Sequence, residues 1–185
     1  MQTAALSETR VAEEGQLTEQ SAGYTFFWIG RAHDERREAG VGFATNSNLV
    51  NKMAVPPQGI NDSLMTARLP LPKKRFVTLF SAYTSPMTNP DEVKERFYED
   101  LRDAISAVPR SDKLIILGDF NAPFGSDHMS WEGVLGKHGI GKCNSNGLLL
   151  LETCAAHGLL ITNTVFRLLT RGCTRVTSIG ICWTT

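Results

Sequence analysis

The ten residues LIILGDFNAP, Leu114 to Pro123, constrain this chain more than any other stretch of it. Four apolar residues run into a glycine, and an aspartate and an asparagine follow two positions apart. A short apolar run bounded by turn residues predicts a buried strand over 114–118. Residues i and i+2 of a strand project to the same side. The spacing therefore predicts that Asp119 and Asn121 emerge together where the strand ends, with Phe120 turned the other way as an anchor. The end of a buried strand is where α/β folds usually hold reactive groups, because the backbone behind it is rigid. A carboxylate beside a neutral amide suits phosphate-ester hydrolysis: the acid orients or deprotonates water, and the amide donates to a phosphoryl oxygen without changing its charge. The same pair also fits an Asx turn that closes the strand, with Asn121 satisfying loop backbone groups.

The rest of the chain supplies a setting for such a strand. GYTFFWIG (23–30) and AGVGFATN (39–46) flank a charged loop and read as a hairpin. SLMTARLPL (63–71) and FVTLFSAYTSP (76–86) flank PKKR and read as a second. The period then changes. Asn89 is placed to cap a helix with Pro90 at its first position and Glu92 reaching back. Val93, Phe97, Leu101, Ile105 and Val108 form an apolar stripe that Pro109 ends. After the strand at 114–118 comes a loop rich in Gly, Asn and Ser. LLLLETCAAH (148–157) reads as a second helix with Gly158 as its C-terminal cap, and LLITNTVF (159–166) as a returning strand. Residues 4–8 read as one more strand. Hairpins first and β-α-β later predict mixed sheets covered by helices, an α/β layered domain.

Composition narrows the classes. With 185 residues the chain fits one domain, and 42% apolar against 21% charged residues reads as globular. Nineteen basic residues balance nineteen acidic ones, so no global field draws the chain to nucleic acid or a membrane. A polyanionic substrate would need a local patch or a bound cation. No apolar run approaches the ~18 residues of a membrane span, and the opening MQTAALSETR lacks the pattern of a signal peptide. Cys143, Cys154, Cys173 and Cys182 form no C-x-x-C pair and read as reduced thiols. The expected location is intracellular, nuclear or cytoplasmic, and not secreted.

LIILGDFN resembles the hallmark of the endonuclease/exonuclease/phosphatase superfamily. The segments ALSETR, GYTFFWIGR, ERREAGVGFA, TNPDEVKERFYEDL, KLIILGDFNA and NSNGLLLLETCAAHGLLITNTVFRL are similar to its non-LTR retrotransposon endonucleases, and closer still to the retrotransposon-derived group called craniofacial development protein 2-like. The likeness runs from about residue 3 to residue 170. It implies a four-layered α/β sandwich of two mixed sheets flanked by helices, here incomplete at both ends. It implies Mg²⁺ as the cofactor, with Mn²⁺ as a substitute, and the DNA backbone as the partner. Glu8 in SETR matches the family's metal-binding glutamate; read alone, it is a surface carboxylate beside Arg10. Tyr83 in SAYTSP matches the tyrosine that contacts the scissile phosphate; read alone, it is a packed aromatic with a wet hydroxyl. Asp119 and Asn121 become the water-positioning acid and the phosphate-orienting amide. The reaction implied is in-line attack of water on a phosphodiester.

Other motifs read as bystanders. GSDH (125–128) carries a Ser-Asp-His triplet like the one that ends this superfamily's domains, but it lies six residues past Asp119 in a polar loop. GKHGIGKC (136–143) fits a phosphate-loop pattern, but Cys143 stands where a Ser or Thr is needed and no strand precedes it. His33, His138 and His157 lack metal-ligand spacing. Arg31, Arg36 and Arg37, and likewise Lys73, Lys74 and Arg75, read first as solvated turns and second as contacts to a nucleic-acid backbone. The family's early asparagine and its later aspartate and histidine have no counterpart here. Residues 1–170 are thus expected to be a partial domain with little turnover, and 171–185 a divergent tail. That tail can be encoded by codons whose neighbouring frame reads W-M-H-P-R-H-Q-H-W-H-L-L-D-Y, the segment the resemblance implies, so it is expected to be out of frame.

Overall fold

A strand can deliver a side chain accurately only if both of its ends are held, and the strand that carries Asp119 is held at both. The computed structural model describes residues 2–35, 39–84 and 90–165, together with the backbone of 178–183. The chain forms two compact units, Met1–Tyr83 with Pro109–Gly118, and Thr84–Val108 with Asp119–Thr185. It is an α/β protein of two sheets with helices, as its hairpin-then-β-α-β pattern predicts.

In the first unit, one sheet places β1 (Thr3–Ser7), β4 (Val41–Asn46), β3 (Tyr24–Ile29) and β2 (Glu14–Glu19) side by side in that order, every pair antiparallel. The other places β5 (Gln58–Asn61), β6 (Leu64–Leu71), β7 (Arg75–Tyr83) and β8 (Lys113–Asp119) in succession. Both expected hairpins are present, as β3–β4 and β6–β7. Phe27 lies opposite Phe43, Leu79 opposite Ala67, and Val77 opposite Leu69. All six are buried in one cluster, so the core of this unit lies between its two sheets. A single turn of helix, α1 (Ser47–Val50), capped by the Asn46 side chain, follows β4.

β8 alternates between fully buried Leu114, Ile116 and Gly118 and partly buried Ile115 and Leu117. It is covered on both faces, which is why its sequence is an unbroken apolar run rather than an alternating one. Just before it, the buried carboxylate of Asp112 takes two hydrogen bonds from Arg68, at 2.6 and 2.9 Å, and a third from the Thr78 hydroxyl at 3.1 Å. The Arg68 guanidinium also lies 3.8 Å from the Phe76 ring centre. Near the far end, a methyl group at Gly118 would overlap the carbonyl oxygen of Ala82 on β7. Only glycine permits that approach.

The second unit holds α2 (Asp91–Ser106), α3 (Ser145–His157), β9 (Leu159–Ile161), a 3-10 turn at Thr162–Thr164 and β10 (Ser178–Trp183). Several boundaries differ from the sequence reading. Pro90 is the N-cap of α2 rather than its first residue, and Asn89 lies outside the described residues. The buried stripe runs through Lys94, Phe97, Tyr98, Leu101 and Ile105, leaving Val93 exposed. Lys94 buries its aliphatic stem while its amine donates to Asp91 at 2.9 Å. α3 starts three residues before Leu148, and the strand expected over 159–166 stops at Ile161. β9 pairs antiparallel with β10, Ile161 opposite Ile181. The tail 171–185, whose sequence shows no strand alternation, therefore contains a strand. Residues 171–177 and 184–185 lie outside the described residues, as do the side chains of 178–183. Cys154 is buried with its thiol pushed up to about 12 by burial, and Cys143 is exposed; both are free thiols. Cys173 and the Cys182 side chain are outside the described set.

The anchor at Asp112 makes a pH prediction. Hydrogen bonds from Arg68 hold its carboxyl below the ordinary carboxylate range. Its contribution to stability is therefore complete above about pH 4 and is lost as pH falls through the depressed folded-state value. Asp112→Asn is expected to lower the Tm at pH 7 by roughly 5 °C and to flatten the acid limb of a Tm-against-pH curve. Thermal melts of both proteins from pH 3 to pH 7 check this.

Candidate functional site

The chain leaves β8 at Asp119 and enters a tight turn. Phe120 is fully buried, with its ring edge-on to Phe97 of α2 at 6.2 Å between centres, the anchoring role its position predicts. Asn121 is not a strand residue. Its φ is 44°, in the left-handed region that few L-residues other than Asn and Asp adopt. The same-side rule for strands therefore does not bring Asp119 and Asn121 together. An Asx turn does: the Asp119 carboxylate Oδ1 accepts a hydrogen bond from the Asn121 backbone N–H at 3.0 Å.

Three residues that the sequence reading missed hold this turn. The Thr84 backbone N–H donates to the Asp119 carbonyl at 3.0 Å. The Thr84 hydroxyl donates to the Phe120 carbonyl, and the Thr84 carbonyl accepts from the Asn121 side-chain amide at 2.8 Å. From the other side, the Asn144 amide donates to the Asn121 carbonyl at 3.2 Å. The Asn146 amide reaches the Phe120 and Asn121 carbonyls at 3.4 and 3.5 Å. One signal was available beforehand: Asn144 stands just before an apolar run, as an N-cap does. Thr84 gave none, since its contacts are non-local.

Chemically, the turn presents an acid and an amide with defined commitments. One carboxylate oxygen of Asp119 is a turn acceptor. The Asn121 amide nitrogen carries two hydrogens, and the bond to Thr84 uses one of them. The Asx-turn reading of this spacing is the one the hydrogen bonds match.

The two remaining candidates lie in the first unit. Glu8 follows β1 with φ 54°, and its half-exposed carboxylate is paired with the exposed Arg10. The segment is stapled by hydrogen bonds from Thr9 N–H to Gly40 and from Arg10 N–H to Ala39, at 3.0 and 3.1 Å. Tyr83 ends β7 with its ring buried in the inter-sheet core, and its N–H donates to Ser63 at 2.9 Å. β1 and β7 are joined through the Ser81 hydroxyl, which donates to the Leu6 carbonyl at 3.1 Å. Glu8 and Tyr83 each lie two residues beyond that contact. Among the described residues no three His, Cys, Asp or Glu side chains cluster as a metal cage. Mg²⁺ is commonly held by one or two carboxylates, several waters and substrate phosphates, so a single half-exposed carboxylate at Glu8 is a donor that fits it.

His128 is half-buried, with its ring 3.4 Å from the Ser126 carbonyl, and Asp127 accepts from the Ser130 N–H. Lys73 and Lys74 both take left-handed conformations in the β6–β7 turn. Arg36 and Arg37 lie outside the described residues.

Known proteins resemble this chain in sequence and in fold. The pattern of the Endonuclease/Exonuclease/phosphatase family matches residues 4–178. Craniofacial development protein 2 of Bos taurus is 31% identical over 163 residues, covering 88% of this chain and 26% of its own length. Its counterpart in Tragulus javanicus is 28% identical over 162 residues, covering 88% and 27%. The chain therefore spans about a quarter of those relatives. In fold it is similar to the AP endonuclease LMAP from Leishmania major, with a TM-score of 0.60 and 13% identity over 99% of this chain and 70% of that one. The endonuclease domain of TRAS1, a telomere-specific non-LTR retrotransposon, gives 0.50 and 16%, over 85% and 71%. The 3′ phosphatase NExo from Neisseria, bound to a product DNA hairpin, gives 0.53 and 15%, over 98% and 76%.

The left-handed conformation at Asn121 can be tested by stability alone. Asn121→Gly and Asn121→Ala both lose the bond to Thr84, but only alanine meets the steric penalty of positive φ. Glycine is expected to be the more stable variant by about 1 kcal/mol, the reverse of its usual rank. Urea denaturation of the two variants measures the difference.

Proposed function

Because the chain belongs to the endonuclease/exonuclease/phosphatase family, we propose that it carries the machinery of a Mg²⁺-dependent phosphodiester hydrolase acting on DNA, in the manner of a non-LTR retrotransposon endonuclease. The observation that carries this reading is the Asx turn, which holds an acid and an amide on a rigid strand end. Asp119 orients a water and takes its proton as it attacks phosphorus. Asn121 donates its second amide hydrogen to a phosphoryl oxygen as negative charge builds there. The role that the family resemblance gives Tyr83 is contact with the scissile phosphate through its phenol. Glu8 would hold the cation, which when bound supplies charge neutralisation on the phosphate and the leaving oxygen. DNA is the favoured polyanion because the likeness to retrotransposon proteins is spread over the chain. The location that goes with this reading is intracellular, nuclear or cytoplasmic.

A second reading, a remnant that binds without turnover, is favoured by one observation. The cation-binding carboxylate is already neutralised by Arg10. A phosphatase acting on small phosphoesters is the in-family rival, because the same acid–amide pair serves that chemistry.

Supercoiled-plasmid nicking separates the three. The chain is expected to nick weakly, as a partial domain would, to require Mg²⁺ for that nicking and lose it with a chelator, and to lose the remainder as Asp119→Ala, because such groups act as a unit. Release of inorganic phosphate from an inositol phosphate without nicking would select the phosphatase. A folded protein with neither activity would select the remnant.

A further inference from the structure

We propose that Asn144 is a positioning residue for Asn121, coupling the first turn of α3 to the acid–amide turn. Its side chain works in two directions. Oδ1 accepts from the Gly147 N–H at 2.7 Å and caps the helix, while Nδ2 donates to the Asn121 carbonyl at 3.2 Å. The assignment of O and N is fixed by the partners, because one is an N–H and the other a carbonyl. The helix start is pressed against the same loop elsewhere: the Asn144 N–H donates to the Pro123 carbonyl at 3.1 Å, and a methyl at Gly147 would overlap that carbonyl. Asn121 needs such support. Its left-handed backbone is held by the Asp119 carboxylate at its N–H and by Asn144 at its carbonyl, on opposite sides of the residue. Asn146 also reaches this carbonyl, but at 3.5 Å it is the weaker tie. With Nδ2 of Asn144 gone, the Asn121 carbonyl keeps only the longer tie to Asn146, and the backbone that sets the direction of the Asn121 side-chain amide loosens.

The kinetic arm of the test rests on the hydrolase reading, and the spectroscopic arm does not. Asn144→Asp keeps a strong helix cap but sets a carboxylate oxygen against the Asn121 carbonyl. Asn144→Ser keeps a cap without charge and is too short to reach across. In a ¹⁵N-labelled protein, hydrogen exchange of the Asn121 side-chain amide reports its bond to Thr84. We expect both variants to melt within a few degrees of the parent and to exchange that amide at least ~10-fold faster. We also expect them to nick DNA with kcat reduced ~10- to 100-fold and KM unchanged, the scale of a small misplacement of a reacting group. Unchanged exchange at Asn121 in a folded variant overturns the proposal, and so does parental kcat. If the parent nicks no DNA, the hydrolase reading fails and the exchange rates alone decide the role of Asn144. If Asn144→Asp does not fold, Asn144→Ser decides it.

Discussion

One hydrogen bond organises the candidate site: the Asn121 N–H donating to the Asp119 carboxylate, two residues back along the chain. It turns the backbone at the end of β8 so sharply that Asn121 enters left-handed space, and so brings acid and amide to the same corner. Such a turn would be floppy on a loop. Here it follows a strand covered on both faces and fixed at its start by the buried carboxylate of Asp112. Beyond the strand, Thr84 contributes three hydrogen bonds to Asp119, Phe120 and Asn121, and Phe120 fills the apolar space beside Phe97. These contacts fix the backbone of the turn from Asp119 to Asn121.

The parts of the fold that could be read from sequence are those in which burial writes its own pattern. β3–β4 and β6–β7 carry large apolar residues between turn signals, and β8 is an apolar run ended by Gly118. β2 and β5 escaped because they are exposed strands. EGQLTE and QGIN have no buried position and only isolated partly buried ones, so neither periodicity nor hydrophobicity marks them. The stripe of α2 was correct at Phe97, Leu101 and Ile105, wrong at Val93, because Lys94 and Tyr98 share the buried face, and too long at Val108, which lies beyond the helix end at Ser106. Lys94 buries its stem beside an acidic partner, and Tyr98 places its hydroxyl on the Asn146 carbonyl at 2.9 Å. Neither can be foreseen by treating a charge or a hydroxyl as a surface mark.

The sequence marked Asp119 and Asn121 as neighbours in space but not how they are joined: an Asx turn, in which the Asn121 N–H donates to the Asp119 carboxylate, replaces the expected strand alternation. The bonds that Thr84, Asn144 and Asn146 make to this turn could not be read from sequence, because they join residues 20 to 40 positions apart in the chain. Tyr83 and Glu8 show how resemblance and local physics describe one residue differently. Tyr83 is a core aromatic of its own unit, as its strand-end position alone suggests, whatever its phenol does at a phosphate. Glu8 is ion-paired with Arg10, so a cation arriving there must compete with a guanidinium. That competition is a local property of this chain.

On the proposed hydrolase reading, this turn directs a single water onto phosphorus. The most direct measurement is hydrolysis, in ¹⁸O-labelled water, of a DNA phosphodiester made chiral at phosphorus with sulfur. One-step attack by a water that Asp119 orients predicts one labelled oxygen in the product and inversion at phosphorus. Retention of configuration, or product without the label, would contradict it.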